Sequence, residues 1–185
     1  MNIVVYCSSR ADLGAEYEEI ASALGQWVGS NGHTLVYGGV NAGLMHSVAQ
    51  ACHDAGAKVV GVVPEVFSYR TDEVCDEVIL TADLNERKGK MIEIGDVFVV
   101  LPGGIGTIDE WVSTLSDIMV REKVDANADR PIVVVNHRGM YDGMIAQLAA
   151  TNDSPFARGK RVDRSIAVAD IEQLLQTLTH VSTKV

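Results

Sequence analysis

The amino-acid sequence predicts an α/β fold in which helices cover both faces of a parallel β-sheet. Short apolar runs rich in Val and Ile alternate with longer stretches whose apolar residues recur at spacings of three, four and seven. The short runs lack polar alternation, which is typical of strands buried on both faces. Repeated alternation of strand and helix favours a doubly wound sheet in three layers.

The first part of the chain predicts three strands and two helices. The strands are expected at 2–7, 34–39 and 58–63, and the helices at 15–30 and 43–55. Asn31-Gly32 and Gly56 follow the two helices, as residues that end helices commonly do. Residues 64–77, "PEVFSYRTDEVCDE", are irregular and polar. We interpret them as a long loop, which in a compact domain is often functional.

The second part predicts four strands and four helices, and we expect one domain over residues 1–185. The strands are expected at 78–80, 97–101, 131–136 and 166–169, and the helices at 83–94, 107–120, 139–150 and 170–179. A charged connection at 121–130 and a loosely organised stretch at 151–165 separate the later elements.

Composition and charge exclude several classes of protein. The net charge of −10 and the sequence pI of about 4.8 argue against a nucleic-acid binder. The three cysteines form no metal-binding spacing and indicate reduced thiols in a cytoplasmic protein. We expect no signal peptide and no membrane span. His46 and His53 are seven residues apart on a predicted helix, so they could share a face and bind a metal. We favour the alternative, in which no metal is bound there.

The stretch "VFVVLPGGIGTIDEW" (97–111) runs from a strand through Gly103, Gly104 and Gly106 into a helix opened by Thr107. Glycines permit positive φ and close approach of a ligand to the backbone. The free amides of a first helical turn attract anions. We predict a phosphate-binding turn; the alternative is a tight connection that binds nothing. The lysine of a Walker A loop and the third glycine of the dinucleotide fingerprint are both absent.

The same sheet edge is predicted to carry two more ligand-binding segments. The turn "YGGVNAGLM" (37–45) places Gly38, Gly39 and Gly43 between a strand and a helix. Ser8 and Ser9 follow the first strand. Because carboxyl ends of parallel strands meet at one edge, these segments predict a cleft of nucleotide size.

Two charged residues stand out, and spacing leaves both roles open. Thr107 and Glu110 fit a capping box, and Glu110 lies opposite the predicted apolar stripe of its helix, so capping and catalysis are both compatible with it. Arg87 falls between Leu84 and Met91 on an apolar stripe. A charge there needs a partner or a ligand, unless the long side chain reaches the surface.

"ERK" at 86–88 and "PGGIGTIDE" at 102–110 resemble the paired signature of the LONELY GUY (LOG) family, phosphoribohydrolases that cleave cytokinin riboside 5′-monophosphates. The resemblance also includes "VYGGVNAGLM" (36–45) and "VVGVVPE" (59–65), and it covers nearly the whole chain. It implies a Rossmann-like fold, a homodimer or larger assembly, and hydrolysis of a nucleoside monophosphate to free base and ribose 5-phosphate. Similar proteins are often labelled lysine decarboxylases, but no pyridoxal-phosphate signature is visible.

The resemblance also implies roles for individual residues, with no metal or redox cofactor required. The family's catalytic pair falls on Arg87 and Glu110, and Lys88 completes its Arg-Lys pair. The remaining expected substrate or phosphate contacts are Ser8, Ser9, Gly38, Gly39, Gly43, Gly103, Gly104, Ile105, Gly106, Thr107 and Ser116.

This chain departs from the family pattern around the expected pocket. Cys7 stands where members have Gly, Val40 replaces a glycine, His46 replaces a small residue, and Ser116-Asp117 replaces Thr-Trp. The family's acidic substrate contact in the 64–77 loop has no firm counterpart, with Glu73 as the nearest choice. These departures bear on the base that is accepted. The alternatives are a non-catalytic carrier of a nucleotide or phosphorylated cofactor, similar to molybdenum-cofactor carriers, and a structural dimer in which Thr107 and Glu110 only cap a helix.

Overall fold

The computed structural model describes residues 1–125, 129–157 and 164–183, and within them it contains seven strands and six α-helices. The strands are β1 (Asn2–Tyr6), β2 (Thr34–Tyr37), β3 (Lys58–Pro64), β4 (Glu77–Thr81), β5 (Val97–Val100), β6 (Ile132–Val135) and β7 (Ser165–Val168). The helices are α1 (Ala15–Ser30), α2 (Gly43–Asp54), α3 (Leu84–Ile94), α4 (Ile105–Arg121), α5 (Asp142–Asn152) and α6 (Ile171–Ser182).

The strands form one sheet in the order β4-β3-β2-β1-β5-β6-β7, and every neighbouring pair is parallel. The predicted doubly wound α/β fold is confirmed. Alternate residues of each strand face opposite sides, so the sheet separates two apolar cores. Ile3 and Val5 pack with α1, α2 and α6, whereas Val4 and Tyr6 pack with α3, α4 and α5.

The strand order changes direction at β1, whose neighbours are β2 on one side and β5 on the other. The chain winds outward from β1 to β4 and then returns to continue from β5 to β7. Loops that follow β1 and β5 therefore diverge, and a crevice opens between them at the carboxyl edge of the sheet. This is the edge at which the sequence predicted a cleft.

The segment 64–77 is more ordered than predicted. Pro64 belongs to β3, a 3₁₀ turn spans Glu65–Arg70, and Thr71 forms an antiparallel bridge with Val40. The backbone amide of Asp72 donates to Gly39 O at 2.8 Å, and Asn41 donates to Arg70 O at 2.9 Å. Polar residues suggested a free loop, but these backbone bonds attach the segment to the turn between β2 and α2.

Parts of the predicted connection 121–130 and of the stretch 151–165 lie outside the described residues. Within the described ranges, no helix has the length and apolar character needed to cross a membrane.

Candidate active site

A cleft of about 320 Å³ opens at the carboxyl ends of β1 and β5. Its walls come from the loop after β1, the first turns of α2 and α3, and the first two turns of α4. The lining residues are Cys7, Ser8, Ser9, Arg10, Met45, Arg87, Gly104, Gly106, Thr107 and Glu110.

One wall is the amino end of α4, which begins at Ile105 with Gly104 as the residue before it. No side chain caps this helix, so the interpretation of Thr107 and Glu110 as a capping box is wrong. The helix starts two residues earlier than predicted because Ile105 and Gly106 take up the first turn. The first-turn amides have no carbonyl partner within the helix and lie beside the cleft, where the helix dipole favours an anion.

The glycines of this turn provide space instead of an unusual backbone conformation. None of Gly103, Gly104 and Gly106 has the predicted positive φ. A Cβ on Gly103 would lie 2.1 Å from Thr107 Oγ1, so only glycine fits behind that side chain. A Cβ on Gly104 or Gly106 would meet nothing within 4 Å. At those two positions the backbone is bare on the side of the cleft, and a ligand can approach it closely.

Tyr141, at the start of α5, supports the turn from behind. Its buried hydroxyl donates to Leu101 O at 2.9 Å and approaches Gly103 O at 3.4 Å. Burial raises the pKa of this phenol, so the hydroxyl stays a donor. Nothing in the sequence pattern marks this residue, since a lone Tyr beside a predicted helix gives no signal of the carbonyls that it reaches.

Arg87 and Glu110 form a buried ion pair on the floor of the cleft. Nη2 of Arg87 donates to Oε1 of Glu110, and the two residues are only 8 % and 3 % exposed. Nε of Arg87 is buried and has no hydrogen-bond partner among the residues that the structure describes. The guanidinium therefore retains donor capacity beyond its bond to the carboxylate.

The start of α3 fixes where Arg87 lies. Asp83 Oδ1 accepts hydrogen bonds from the amides of Asn85 and Glu86 at 2.8 and 2.9 Å, and Glu86 Oε2 accepts from the Ala82 amide at 2.6 Å. This reciprocal capping fixes where α3 begins, so that Arg87 falls on the buried face with Met91. Leu84, expected on the same stripe, is 49 % exposed.

Glu110 lies on the buried face of α4, contrary to the helical-wheel prediction. The buried stripe contains Thr107, Glu110 and Thr114 beside Trp111, while the apolar Val112 is 36 % exposed. The hydrophobic pattern placed the stripe on the wrong side because two of its buried residues, Glu110 and Thr114, are polar and have partners. Thr114 Oγ1 donates to Glu110 O at 2.8 Å and lies 2.9 Å from the Tyr6 hydroxyl.

Burial changes the acidity of the ion pair. Loss of hydration raises the pKa of Glu110 to about 7, and the Arg87 guanidinium opposes part of that rise. Near neutral pH the carboxyl group can therefore both bind and release a proton. A group with these properties in a cleft is a typical candidate for acid–base chemistry.

The cleft brings together seven of the predicted site residues: Ser8, Ser9, Arg87, Gly104, Gly106, Thr107 and Glu110. Four others shape its surroundings. A Cβ on Gly38 would lie 3.0 Å from Arg87 Nη1, Gly39 and Gly43 have φ of 67° and 52°, and Gly103 lies behind Thr107. Ile105 is 82 % exposed outside the lining of the cleft.

Lys88 and Ser116 lie outside this cleft. Lys88 Nζ is 2.7 Å from Asp109 Oδ2, and the side chain turns away from Arg87 because consecutive helical residues point in different directions. Ser116 is exposed, six residues beyond Glu110 on another face of α4. Both line a separate groove between α3 and α4, together with Ile92, Val112 and Val120.

The departures from the family pattern differ in their relation to the cleft. Cys7 lines it, and burial raises the pKa of its thiol, which stays neutral. Val40 is buried in the core.

His46 and His53, the pair considered for a metal, have different surroundings. His46 Nδ1 lies 2.9 Å from the buried Asp72 Oδ2, whereas His53 is exposed, as is Glu73. No group of three or more metal-binding side chains occurs in the part of the chain that the structure describes.

Arg10 and Met45 line the cleft but were not predicted. Met45 is 7 % exposed and looks in the sequence like a core residue of α2. Arg10 directly follows the serine pair at the end of β1, so its position at the sheet edge was the available signal.

Comparison with known proteins finds relatives over nearly the whole chain. Residues 45–178 match the family described as "Possible lysine decarboxylase". The cytokinin riboside 5′-monophosphate phosphoribohydrolase of Mycobacterium tuberculosis is 34 % identical over 94 % of this chain and 91 % of its own. The protein of the same name from Rhodococcoides fascians is 31 % identical over 92 % of this chain and 85 % of its own.

Solved structures show the same fold at lower identity. The molybdenum cofactor carrier protein of Chlamydomonas reinhardtii has a TM-score of 0.75 and 20 % identity, with 98 % of both chains covered. Identity at this level supports the shared architecture alone.

Proposed function

This chain belongs to the LOG family, and from that membership we propose that it hydrolyses the N-glycosidic bond of nucleoside 5′-monophosphates. One molecule of nucleotide and one of water give the free base and ribose 5-phosphate. The proposed substrates include cytokinin nucleotides, which the names of the relatives specify. The label lysine decarboxylase has no support in the cleft, since the described residues that line it include no lysine that could hold pyridoxal phosphate.

The observation that carries this proposal is the buried Arg87–Glu110 pair beside the open amino end of α4. A phosphate at the first-turn amides would place the attached ribose toward the floor of the cleft, where Glu110 lies. A carboxylate within reach of the ribose suits N-glycoside cleavage, since that reaction develops positive, oxocarbenium-like charge on the sugar.

Glu110 is proposed to act in its ionised form. The carboxylate would stabilise the developing positive charge on the ribose and take a proton from the attacking water. The C–N bond breaks with its electron pair going to the base, and the water oxygen bonds to the anomeric carbon. The base then needs a proton, which the newly protonated Glu110 or solvent can return.

Arg87 is proposed to orient Glu110 and bind the sugar. Its bond to Oε1 holds the carboxylate in one position, and Arg87 lines the cleft, where a donor not used by Glu110 can contact a ribose hydroxyl or a phosphate oxygen. The backbone at Gly104 and Gly106 would accept the phosphate together with Ser8, Ser9 and Thr107. None of these contributions requires a cofactor.

Base release from a panel of nucleoside monophosphates tests the proposal. AMP and isopentenyladenosine monophosphate are expected to yield free base and an equal amount of ribose 5-phosphate, separated by chromatography. Intact nucleotide across the panel, combined with measurable nucleotide binding by calorimetry, would favour the carrier alternative instead. A rate for isopentenyladenosine monophosphate well above that for AMP would identify a cytokinin-activating enzyme.

We further propose a homodimer formed through the groove between α3 and α4. Val112 and Val120 are 36 % and 59 % exposed there, and such apolar side chains favour burial against a second copy. Ser116 and Lys88 lie in the same groove. Assembly is therefore the route by which they would approach a substrate, at the cleft of the second copy.

The proposed location is the cytoplasm. Cys7, Cys52 and Cys75 are all free thiols, as is usual in reducing compartments. Cell fractionation with a tagged chain tests this location.

A further inference from the structure

Arg10 has a fixed backbone at the mouth of the cleft. The amide of Ser8 donates to Pro102 O at 3.3 Å, and the amide of Leu44 donates to Ser8 O at 3.0 Å. The Arg10 amide itself donates to Ser8 Oγ at 3.0 Å. The loop after β1 is therefore held between the two glycine turns.

The glycine turn before α2 also packs directly against Arg10. A Cβ on Gly43 would lie 2.3 Å from Arg10 O, and Gly43 has a φ of 52°, which side chains rarely adopt. This close contact leaves little freedom to the Arg10 backbone. Arg10 therefore lines the cleft from a defined backbone position, together with Gly104, Gly106 and Thr107.

Arg10 also differs from Arg138 and Lys88 in its charge balance. Arg138, at the same sheet edge, pairs with Glu16 at 2.5 Å, and Lys88 pairs with Asp109 at 2.7 Å. No carboxylate within the described ranges pairs with Arg10, although the protein has a net charge of −10. An unpaired guanidinium beside free helix amides attracts an anion.

We propose that Arg10 binds the 5′-phosphate of the substrate and so selects nucleotides over nucleosides; this inference rests on the proposed function. Arg87 is already engaged by Glu110, so it cannot balance a phosphate dianion without weakening that pair. Arg10 supplies the second cation, and its planar fork can bind two phosphate oxygens at once. Arg87 then remains with Glu110 and the ribose. Arg10 is thus a specificity-determining residue that contacts substrate away from the bond that breaks.

Calorimetric binding of ribose 5-phosphate and of ribose tests this role without requiring turnover. In Arg10→Gln, binding of ribose 5-phosphate is expected to weaken roughly 10- to 100-fold, as for loss of a charge-assisted contact. Binding of ribose should not change. The affinity of Arg10→Lys for ribose 5-phosphate should lie between those of the wild-type protein and Arg10→Gln, because lysine keeps the charge but lacks the planar guanidinium. Arg138→Gln is the matched control, since it removes the same charge at the same sheet edge from a residue outside the cleft.

Steady-state kinetics with AMP supply a second readout. Arg10→Gln should raise KM much more than it lowers kcat, because Glu110 and Arg87 are unchanged. Unchanged affinity for ribose 5-phosphate in Arg10→Gln, or an equal loss in Arg138→Gln, would overturn the assignment. A wild-type protein that binds ribose 5-phosphate through Arg10 but releases no base would instead overturn the hydrolase proposal alone. Failure of the wild-type protein to bind ribose 5-phosphate would overturn both.

Discussion

Arg87 on α3 and Glu110 on α4 are 23 positions apart in the chain, and their side chains form an ion pair that is almost fully buried. A buried pair contributes little net stability, because the loss of hydration offsets much of the attraction between the charges. Retaining it beside a cleft is easier to explain by function.

Glu110→Gln is expected to lower kcat by about 10²- to 10⁴-fold, as is typical for loss of a general base. The amide keeps the shape and a hydrogen-bond acceptor for Arg87 but cannot take a proton. Base release by chromatography measures the rate, and circular dichroism checks the fold. Asp109→Asn is the control, because this neighbouring carboxylate is 57 % exposed and pairs with Lys88 outside the cleft. Equal activity of both variants would remove Glu110 from the mechanism.

The pH dependence of activity should follow the ionisation of Glu110. Burial raises its pKa to about 7, so kcat/KM is expected to increase as pH rises through that value, when the carboxylate forms. The rate should be measured between pH 5 and 9. The substrate phosphate itself ionises at about pH 6, so its pKa is measured separately. A profile that is flat between those limits would contradict the role of this carboxyl group.

Stability should depend on pH with the opposite sign. The folded-state pKa of Glu110 lies above its ordinary value of 4.5, so the folded state binds more protons than the unfolded state between 4.5 and about 7. Wild-type stability should therefore fall over that window relative to Glu110→Gln, which cannot ionise. Melting temperatures of the two proteins at pH 4.5, 6 and 8 measure the difference. A gap that does not widen with pH would show that the pKa of Glu110 is not raised.

Gly103→Ala and Gly106→Ala are expected to have different effects, the first on stability and the second on substrate binding. A methyl group on Gly103 collides with Thr107, which should cost about 1–3 kcal/mol of unfolding free energy. A methyl group on Gly106 points into open space and improves helix propensity, so stability should hold or rise. It would occupy ligand space, and KM should increase roughly tenfold. Chemical denaturation and AMP kinetics on both variants give the comparison; a common defect in stability would contradict it.

The fold was largely predictable because buried parallel strands leave a strong signal. Runs such as "VFVVL" and the glycines after them located the sheet and its ligand-binding edge, and the strand order then placed a cleft there. The 3₁₀ turn at Glu65–Arg70 was not predicted, because its order comes from backbone bonds to a distant turn.

Within the site, the sequence placed Arg87 on an apolar stripe, with burial and a path to the surface both open, and it placed Glu110 on the face opposite the core. A charge on an apolar stripe is visible in the spacing of residues. Glu110 shares its face with Thr107 and Thr114, and a hydrophobic pattern does not reveal a buried face that carries polar residues. Tyr141 was missed because its bonds to the Leu101 and Gly103 carbonyls are made across the fold. Arg10 was missed although its position directly after Ser8 and Ser9, at the sheet edge, was a usable signal.

Tyr141→Phe tests how much the glycine turn depends on support from α5. Removing the hydroxyl leaves the buried Leu101 carbonyl without its 2.9 Å bond, which should cost about 1–3 kcal/mol of unfolding free energy. The glycine turn before α4 should also become more mobile. We therefore expect kcat/KM to fall, but by less than in Glu110→Gln. Tyr69→Phe is the control, because Tyr69 is 79 % exposed. Equal denaturation midpoints for the two variants would rule out this support.

Val120→Arg tests the proposed dimer and the part that assembly plays in the site. Val120 lines the groove between α3 and α4 and is 59 % exposed, so an arginine there would fold normally but leave an unpaired charge inside the interface. Dimer affinity should fall by about 100-fold or more. Light scattering coupled to size-exclusion chromatography measures the mass. Val124→Arg, at a position 88 % exposed outside the groove, should remain dimeric. Loss of activity together with the dimer would indicate that one copy completes the cleft of the other, whereas a dimer that persists in Val120→Arg would place the interface elsewhere.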